Sequence, residues 1–484
     1  MSFKEYNQNQ PFLLPPSLQE FISSDHLARV INDVVEEIDL TDLYRRYSYY
    51  GCNAFHPQMM LKVMFYAYAT GERSSRKIAY RLSCDVAYMY LSALQKPDFR
   101  TINRFRKDNI DILKNLFVQI VMLCSKMGMV SIGTIAIDGT KLKANASYRN
   151  TKTNKYIDEE LKYIDRSIAR ILKETEQVDA REDEEQGEGK SIYEVDESLK
   201  DKEERKKRLR EAKIKLEEEN KKEINLTDED SATMLHQRHR AEPSYNGQIA
   251  VEEKSGIIVA ADLTNNPADY LELKKLIKET EETTGKKPEK VLADSGYSCF
   301  DNLEYLETRQ ITGYMPDQRM ESINKGTRTN PDFEKSNFEY NKEKDVYICP
   351  MGNELIHDGF IKRQGKPSLK KYKCLDCEDC IRQRECTKTK NRTISFDPRQ
   401  PLMDNMRNLL KTNEGRKIYG KRKYMVESIF GVIKHNYKYR ELLLRGERKA
   451  KGEFMIMCIA HNLKKIAKYL IADINTENLA GSAV

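Results

Sequence analysis

The sequence predicts a mixed α/β protein with an all-helical N-terminal region and two inserts, one a charged helical hairpin, the other small and cysteine-rich. Three observations carry this. Apolar residues recur at helical spacing over 17–130, β-branched runs ending in acids follow from 131, and five of the ten cysteines crowd into 349–386. At 484 residues the chain exceeds one ordinary core and implies two to four structural units. A 39% hydrophobic content beside 33% charged residues excludes a wholly disordered protein.

The N-terminal helices read as SLQEFISSDHLARVINDVVEEI, HPQMMLKVMFYAYATG, SSRKIAYRLSCDVAYMYLSAL and RTINRFRKDNIDILKNLFVQIVMLCSKMG. Pro57 and the Ser74-Ser75 pair sit where helices begin, Gly71 and Gly128 where they stop. At 131–146 the texture becomes SIGTIAIDGTKLKANA, a buried strand with Asp138 at its carboxyl end. YNGQIAVEE (245–253) and GIIVAADLT (256–264) are strands joined by a hairpin turn at Lys254-Ser255-Gly256. ADYLELKKLIKETEETTG is an amphipathic helix, EKVLADSGYS a strand ending in Asp294, CFDNLEYLETRQ a helix and ITGYMP a strand.

A charged interruption separates the first two strands. From Ile157 the apolar positions Leu161, Ile164, Ile168, Ile171, Thr175 and Val178 make a heptad stripe, which REDEEQGEGK breaks. A second arm near 194–223 has a poorer seam at Leu199, Leu209 and Leu216 and reads as helix or as charged spacer. The expected organisation is an all-helical domain at 1–130, an α/β domain at 131–316 and 400–472, the hairpin at 151–230 and the cysteine-rich insert at 317–399.

The formal net charge is +7, and its distribution says more than its size. Residues 151–223 hold 19 basic and 23 acidic side chains, whereas 411–454 hold 13 basic and 5 acidic, a local excess of +8. That excess fits a polyanion-binding surface, or a solvated helix face. The start, MSFKEYNQNQ, resembles no secretion signal, and no 18 apolar residues run together, so no membrane span is expected. A reducing compartment, the bacterial cytoplasm at the nucleoid, is the expected location.

Asp138 and Asp294 both end apolar strands and precede turn-forming Gly or Ser-Gly. Carboxyl ends of adjacent strands collect ligands in open α/β sheets, and two carboxylates there repel unless a cation joins them. Mg²⁺ suits such oxygens, and a pair of such ions suits in-line displacement at phosphorus. A third acid is supplied by Glu427, the lone carboxylate of KRKYMVESIFGVIK (421–434), with Lys423 and Lys434 at i−4 and i+7 to face phosphates. The bland alternatives are structural strand-end acids and a surface ion pair on a helix.

At these residues the chain resembles the DDE transposases of bacterial insertion sequences. The resemblance rests on IAIDGTKLKANAS, YNGQIAVEEKSGIIVAADLTNNPAD, VLADSGYSCFDNLEYL and YGKRKYMVESIFGVIKHNYKYRELLLRG. The last is similar to the family's Tyr, Arg, Glu, Lys signature: Lys434 keeps its spacing after Glu427, while Tyr419 and the basic position are displaced by one. Either Arg422 or Lys423 then fills the signature's Arg role. The resemblance implies an RNase H-like catalytic domain, the triad Asp138, Asp294 and Glu427, Mg²⁺ (or Mn²⁺), and DNA cutting and joining at terminal inverted repeats and target. It also implies a homodimer. Lys141, Arg422, Lys423, Lys434, Arg440 and Arg445 are expected on phosphates, with Tyr245 and Asn246 lining the site. PDFRTINRFRKDN resembles part of the family's N-terminal domain, with Arg100, Arg104 and Arg106 as phosphate contacts or as ion-pair partners of Asp98 and Asp108. Rival readings are a DNA-binding regulator that no longer cuts and a nuclease without strand transfer.

Cys374, Cys377 and Cys380 form C-x2-C-x2-C, with Cys386 after them and Cys349 upstream. Zn²⁺ suits thiolates at this spacing, with an iron–sulfur cluster as rival. Five candidates exceed four positions, Cys380 or Cys349 being the spare. Cysteines 52, 84, 124, 299 and 458 read as buried small side chains. No HExxH, phosphate loop or dinucleotide motif occurs, and no Arg/His array accompanies the 27 tyrosines as a tyrosine recombinase requires.

Overall fold

The computed structural model describes residues 17–47, 53–186, 197–236, 240–318, 320, 331–341, 343–363 and 366–481. Cys52 lies outside them. Helices Leu27–Glu37, Pro57–Ala69, Ser75–Cys84, Val86–Ser92, Phe99–Asp108 and Leu113–Lys126 fill the N-terminal region. Their stops are local. Pro57 opens its helix, Ser74 accepts from Lys77 N at the next, and Asp85 accepts from Ala87 N, splitting one expected helix into two.

A six-stranded sheet follows. Strand β1 is Thr134–Lys143, and a short pair, β2 (Thr151–Thr153) and β3 (Glu223–Asn225), closes the base of the helical hairpin. Then come β4 (Ala232–Leu235), β5 (Ala241–Glu252), β6 (Ile258–Thr264), β7 (Lys290–Leu292) and β8 (Thr312–Tyr314). β5 runs antiparallel to β1, β4 and β6, whereas β1, β7 and β8 are mutually parallel. The β5–β6 turn is held by Glu252, fully buried, which accepts from the backbone of Lys254, Ser255 and Ile257.

One expectation is corrected here. β1 does not end at Asp138 but continues to Lys143, because β5 pairs with it along that whole length and Thr140 and Leu142 keep the inward alternation. The strand end lies on the other side only. There the parallel pairing with β7 stops at Ala136↔Leu292, so Asp138 and Asp294 each lie two residues past the last pair.

The C-terminal helix Glu447–Gly481 is the central pillar. Phe454 through Ala460 are buried without interruption, and the helix packs between β6 and the N-terminal helices Pro57–Ala69 and Leu113–Lys126. An all-apolar circumference is what such a position requires, each fully buried Ile or Phe contributing on the order of 1.5–3 kcal/mol. Phe454 seats against Gly247 of β5, where an added Cβ would lie 2.8 Å from its ring. One hydrophobic core therefore spans the N-terminal helices and the sheet. Two smaller cores belong to the inserts.

The hairpin arms are Asn154–Gln186 and Glu197–Glu218. They meet through Ile157, Ile164, Leu209, Ala212 and Leu216, and through Lys213–Asp158 (2.5 Å) and an Arg205–Glu160 pair, an antiparallel arrangement. The second arm is thus a helix, and the first runs through Arg181–Gln186, residues that are helix-competent. Thr175 and Val178 of the stripe lie among side chains outside the description. The cysteine-rich lobe is a five-stranded sheet ordered β13-β12-β11-β10-β9, with β9 Glu339–Asn341, β10 Val346–Ile348, β11 Glu354–Arg363, β12 Lys366–Cys374 and β13 Thr393–Phe396.

Candidate active site

Glu427 was expected on one continuous helix, and it is not on one. Asn413–Arg422 is α-helical, Lys423–Glu427 is a π turn, Ser428–Gly431 is α, and Val432–Asn436 is π again. The departure decides which cation meets the acid. Residues five apart diverge by about 140° around an α-helix, but the i→i+5 ring of a π turn stacks them on one face. Arg422 therefore shares Glu427's face, while Lys423 is exposed to solvent.

The Arg422 guanidinium reaches all three acids. Nη2 donates to Asp138 Oδ1 at 2.9 Å and lies 3.8 Å from Asp294 Oδ2, while Nη1 lies 3.6 Å from Glu427 Oε1. Three carboxylates from β1, the loop after β7 and the π turn thus converge on one cation. Burial pushes the Asp138 carboxyl up to about 6, Arg422 pulls against that and Asp294 adds to it. Local backbone fixes the rotamers: Gly139 N donates to Asp138 Oδ1 (3.0 Å) and Gly296 N to Asp294 Oδ1 (2.9 Å).

Behind these acids stands a polar network of which the sequence reading singled out Asn246 alone. Asp269 accepts from Asn246 Nδ2 and Gln248 Nε2, both at 2.7 Å, and Tyr297 donates to Gln248. A Cβ on Gly139 would lie 2.3 Å from Gln248 and 2.7 Å from Asp269, and one on Gly296 would lie 3.1 Å from Asp269. Asp269 thus underlies both the β1 segment that bears Asp138 and the turn that bears Asp294. Its only sequence signal is ADYL, where an acid reads as a helix-start residue.

The other expected residues divide. Lys434 is half-buried, burial lowering its pKa, and feels Asp138, Lys141 and Arg440, so these cations form one group beside the acids. Arg440 and Arg445 are exposed, held through Lys434 O (3.3 Å) and Asn145 O (2.9 Å). Arg100 and Arg104 are exposed on Phe99–Asp108. Arg106 is only 6% exposed and donates to Tyr68, the Arg73 carbonyl and Asn103, so burial turns it inward from any phosphate. Tyr245 is fully buried with its hydroxyl on Asp228 (2.8 Å), and Asn246 reaches the acids only by way of Asp269.

In the lobe, the free thiols of Cys374 and Cys377 share a hydrogen bond and Cys374 senses Cys349, while Cys386 senses Cys377, Cys349 and Cys380. Backbone N–H groups of Asn353 and Arg392 donate to Cys349 Sγ and Cys377 Sγ, both at 3.3 Å, as they would to thiolates. Burial pushes the Cys374 thiol up to about 12. Of the other cysteines, Cys124 and Cys458 are buried as expected, Cys84 is exposed and Cys299 half-buried. Among the described residues no three His, Cys, Asp or Glu side chains form a ready-made metal cluster.

Residues 348–467 match the family model Transposase DDE domain, a span that contains Glu427 and all five lobe cysteines. Residues 16–108 match Transposase domain (DUF772), which covers most of the N-terminal helices. The two matched stretches together support an insertion-sequence DDE transposase. No curated protein matches it. The transposase family implies DNA binding, and among the described residues no helix is long and apolar enough to cross a membrane. Its DDE match covers the third acid but neither aspartate, so the geometry around Arg422 is what links the three.

Proposed function

We propose that this transposase cuts and joins DNA at the ends of an insertion sequence by metal-dependent in-line phosphoryl transfer, with Asp138, Asp294 and Glu427 holding divalent ions. The observation that carries the reading is the convergence of these three acids on one positive charge. The donor set is all oxygen, which fits Mg²⁺ or Mn²⁺. The strand order β6-β5-β1-β7-β8, antiparallel on one side of β1 and parallel on the other, supports an RNase H-like catalytic fold.

When bound, such ions activate the attacking oxygen and stabilise the leaving one. The chain does the rest. Asp138 and Asp294 fix the site through backbone-held rotamers, and Asp269 supports the β1 segment of the first and the turn of the second. Lys141, Lys434, Arg440 and Arg445 offset backbone phosphate charge, so binding should weaken steeply with salt. Arg100 and Arg104 extend that surface. Two ends must be cut together, which argues for a homodimer. In the lobe, four of Cys349, Cys374, Cys377, Cys380 and Cys386 would hold a structural Zn²⁺ that staples a small core.

Glu427→Gln should retain binding to element ends while Mg²⁺-dependent cleavage disappears; unchanged cutting would reject the triad. The products separate the rivals, since a nuclease leaves nicks without joined strands and a regulator binds without nicking.

A further inference from the structure

We infer that Arg422 is a positioning residue that occupies the cation position among Asp138, Asp294 and Glu427 and excludes divalent metal until a DNA phosphate takes its guanidinium. This rests on the proposed reading of those acids as metal ligands, and goes beyond it by assigning what holds them when neither metal nor DNA is bound.

The geometry is that of a stand-in. A guanidinium touching three carboxylates offsets their mutual repulsion as a divalent ion would, and while its nitrogens stand against those oxygens a metal cannot take the same positions. The Arg422 side chain is 12% exposed, so it is part of the packed site rather than a solvent-swept neighbour. Its Nε, fully buried, has no hydrogen-bond partner, so one donor of the fork remains unspent.

The exchange is also cheap in contacts. Only the Asp138 bond, at 2.9 Å, is a hydrogen bond, whereas the approaches to Glu427 and Asp294, at 3.6 and 3.8 Å, are charge contacts without one. A phosphate arriving beside the acids offers two oxygens in the plane a guanidinium prefers, so Arg422 loses one bond and gains a bidentate pair. Lys434 lies near Asp138, with Lys141 near Lys434, and these cations bring that phosphate in. The π turn supplies the freedom. It joins Arg422 directly to Glu427, and such turns are irregular stretches that can pass into ordinary helix. DNA and metal then bind with positive coupling, and by reciprocity metal tightens DNA.

The test is Mn²⁺ binding to the full chain, followed by electron paramagnetic resonance, with and without a duplex carrying an element end. Without DNA, Arg422→Gln should bind Mn²⁺ about tenfold more tightly than the unaltered protein. Added duplex should raise the unaltered protein's affinity by about the same factor and leave the variant's little changed. Equal affinities without DNA, or equal gains on adding it, overturn the proposal. Should Arg422→Gln fail to fold, the gain from DNA in the unaltered protein and its reduction in Arg422→Lys decide the matter, and no gain overturns it. Asp138→Asn separates the two layers: if it leaves Mn²⁺ binding intact, the acids are not the metal site and both readings fall. If it abolishes binding while Arg422→Gln changes nothing, only the role of Arg422 falls.

Discussion

The acid cluster and the thiol cluster both gather side chains that a cation could join, yet they meet that demand in opposite ways. The acids sit on β1, the loop after β7 and a π turn, all anchored in the large core, and a guanidinium already stands among them. The thiols sit in a lobe whose core is seven buried side chains, two of them Cys374 and Cys377, and the Arg392 guanidinium that acts on Cys386 is spent on the backbone carbonyls of Cys386 and Phe333. The acid cluster is therefore assembled by the fold alone, whereas the lobe's order is expected to depend on the metal proposed for it.

The largest effect should come from breaking the first cluster. Asp138→Asn is expected to lower metal-dependent strand cleavage by about a thousandfold or more, while thermal unfolding shifts little, since burial already disfavours that charge. A large loss of stability would show that the acid serves the fold instead. Next comes the lobe. Chelation, or Cys374→Ser with Cys377→Ser, should remove several kcal/mol of local protection from β9–β13 in hydrogen exchange while β1 and β5 keep theirs. Unchanged exchange and no zinc by elemental analysis would make the thiols plain core.

A structural ion pair calibrates both. Glu453 is fully buried, pairs with Arg73 at 3.3 Å, and accepts from Leu443 N (2.8 Å) and Leu444 N (2.9 Å). Arg73→Ala leaves that charge without its cation and should cost about 3–5 kcal/mol in denaturant unfolding, far more than Asp138→Asn. The smallest effect belongs to the rim: Arg440→Ala should reduce the slope of log affinity against log salt by about 1, with folding unchanged. A variant slope equal to the parent's would remove Arg440 from the DNA surface.

Much of this was legible because periodicity and turn chemistry act locally. The helix stops at Gly71 and Gly128, the β5–β6 turn at Gly256 and the acids at Asp138 and Asp294 all follow from short-range rules. The failures share a cause. Assuming 3.6 residues per turn put Lys423 beside Glu427, whereas the inserted residue of the π turn puts Arg422 there. Arg106 looked like a phosphate contact because burial depends on distant partners, here Tyr68 and Arg73. Asp269 read only as a helix-start acid because its partners Asn246 and Gln248 lie on β5, distant in sequence. That a single core would join the N-terminal helices to the sheet was equally hidden, since the joining helix is the last one in the chain.

That pillar sets an order of assembly. A ribosome emits the N-terminal helices first, but their apolar faces wait for residues 447–467, made after both aspartates, Arg422 and Glu427. Nascent or prematurely stopped chains thus lack the keystone and leave those apolar faces uncovered.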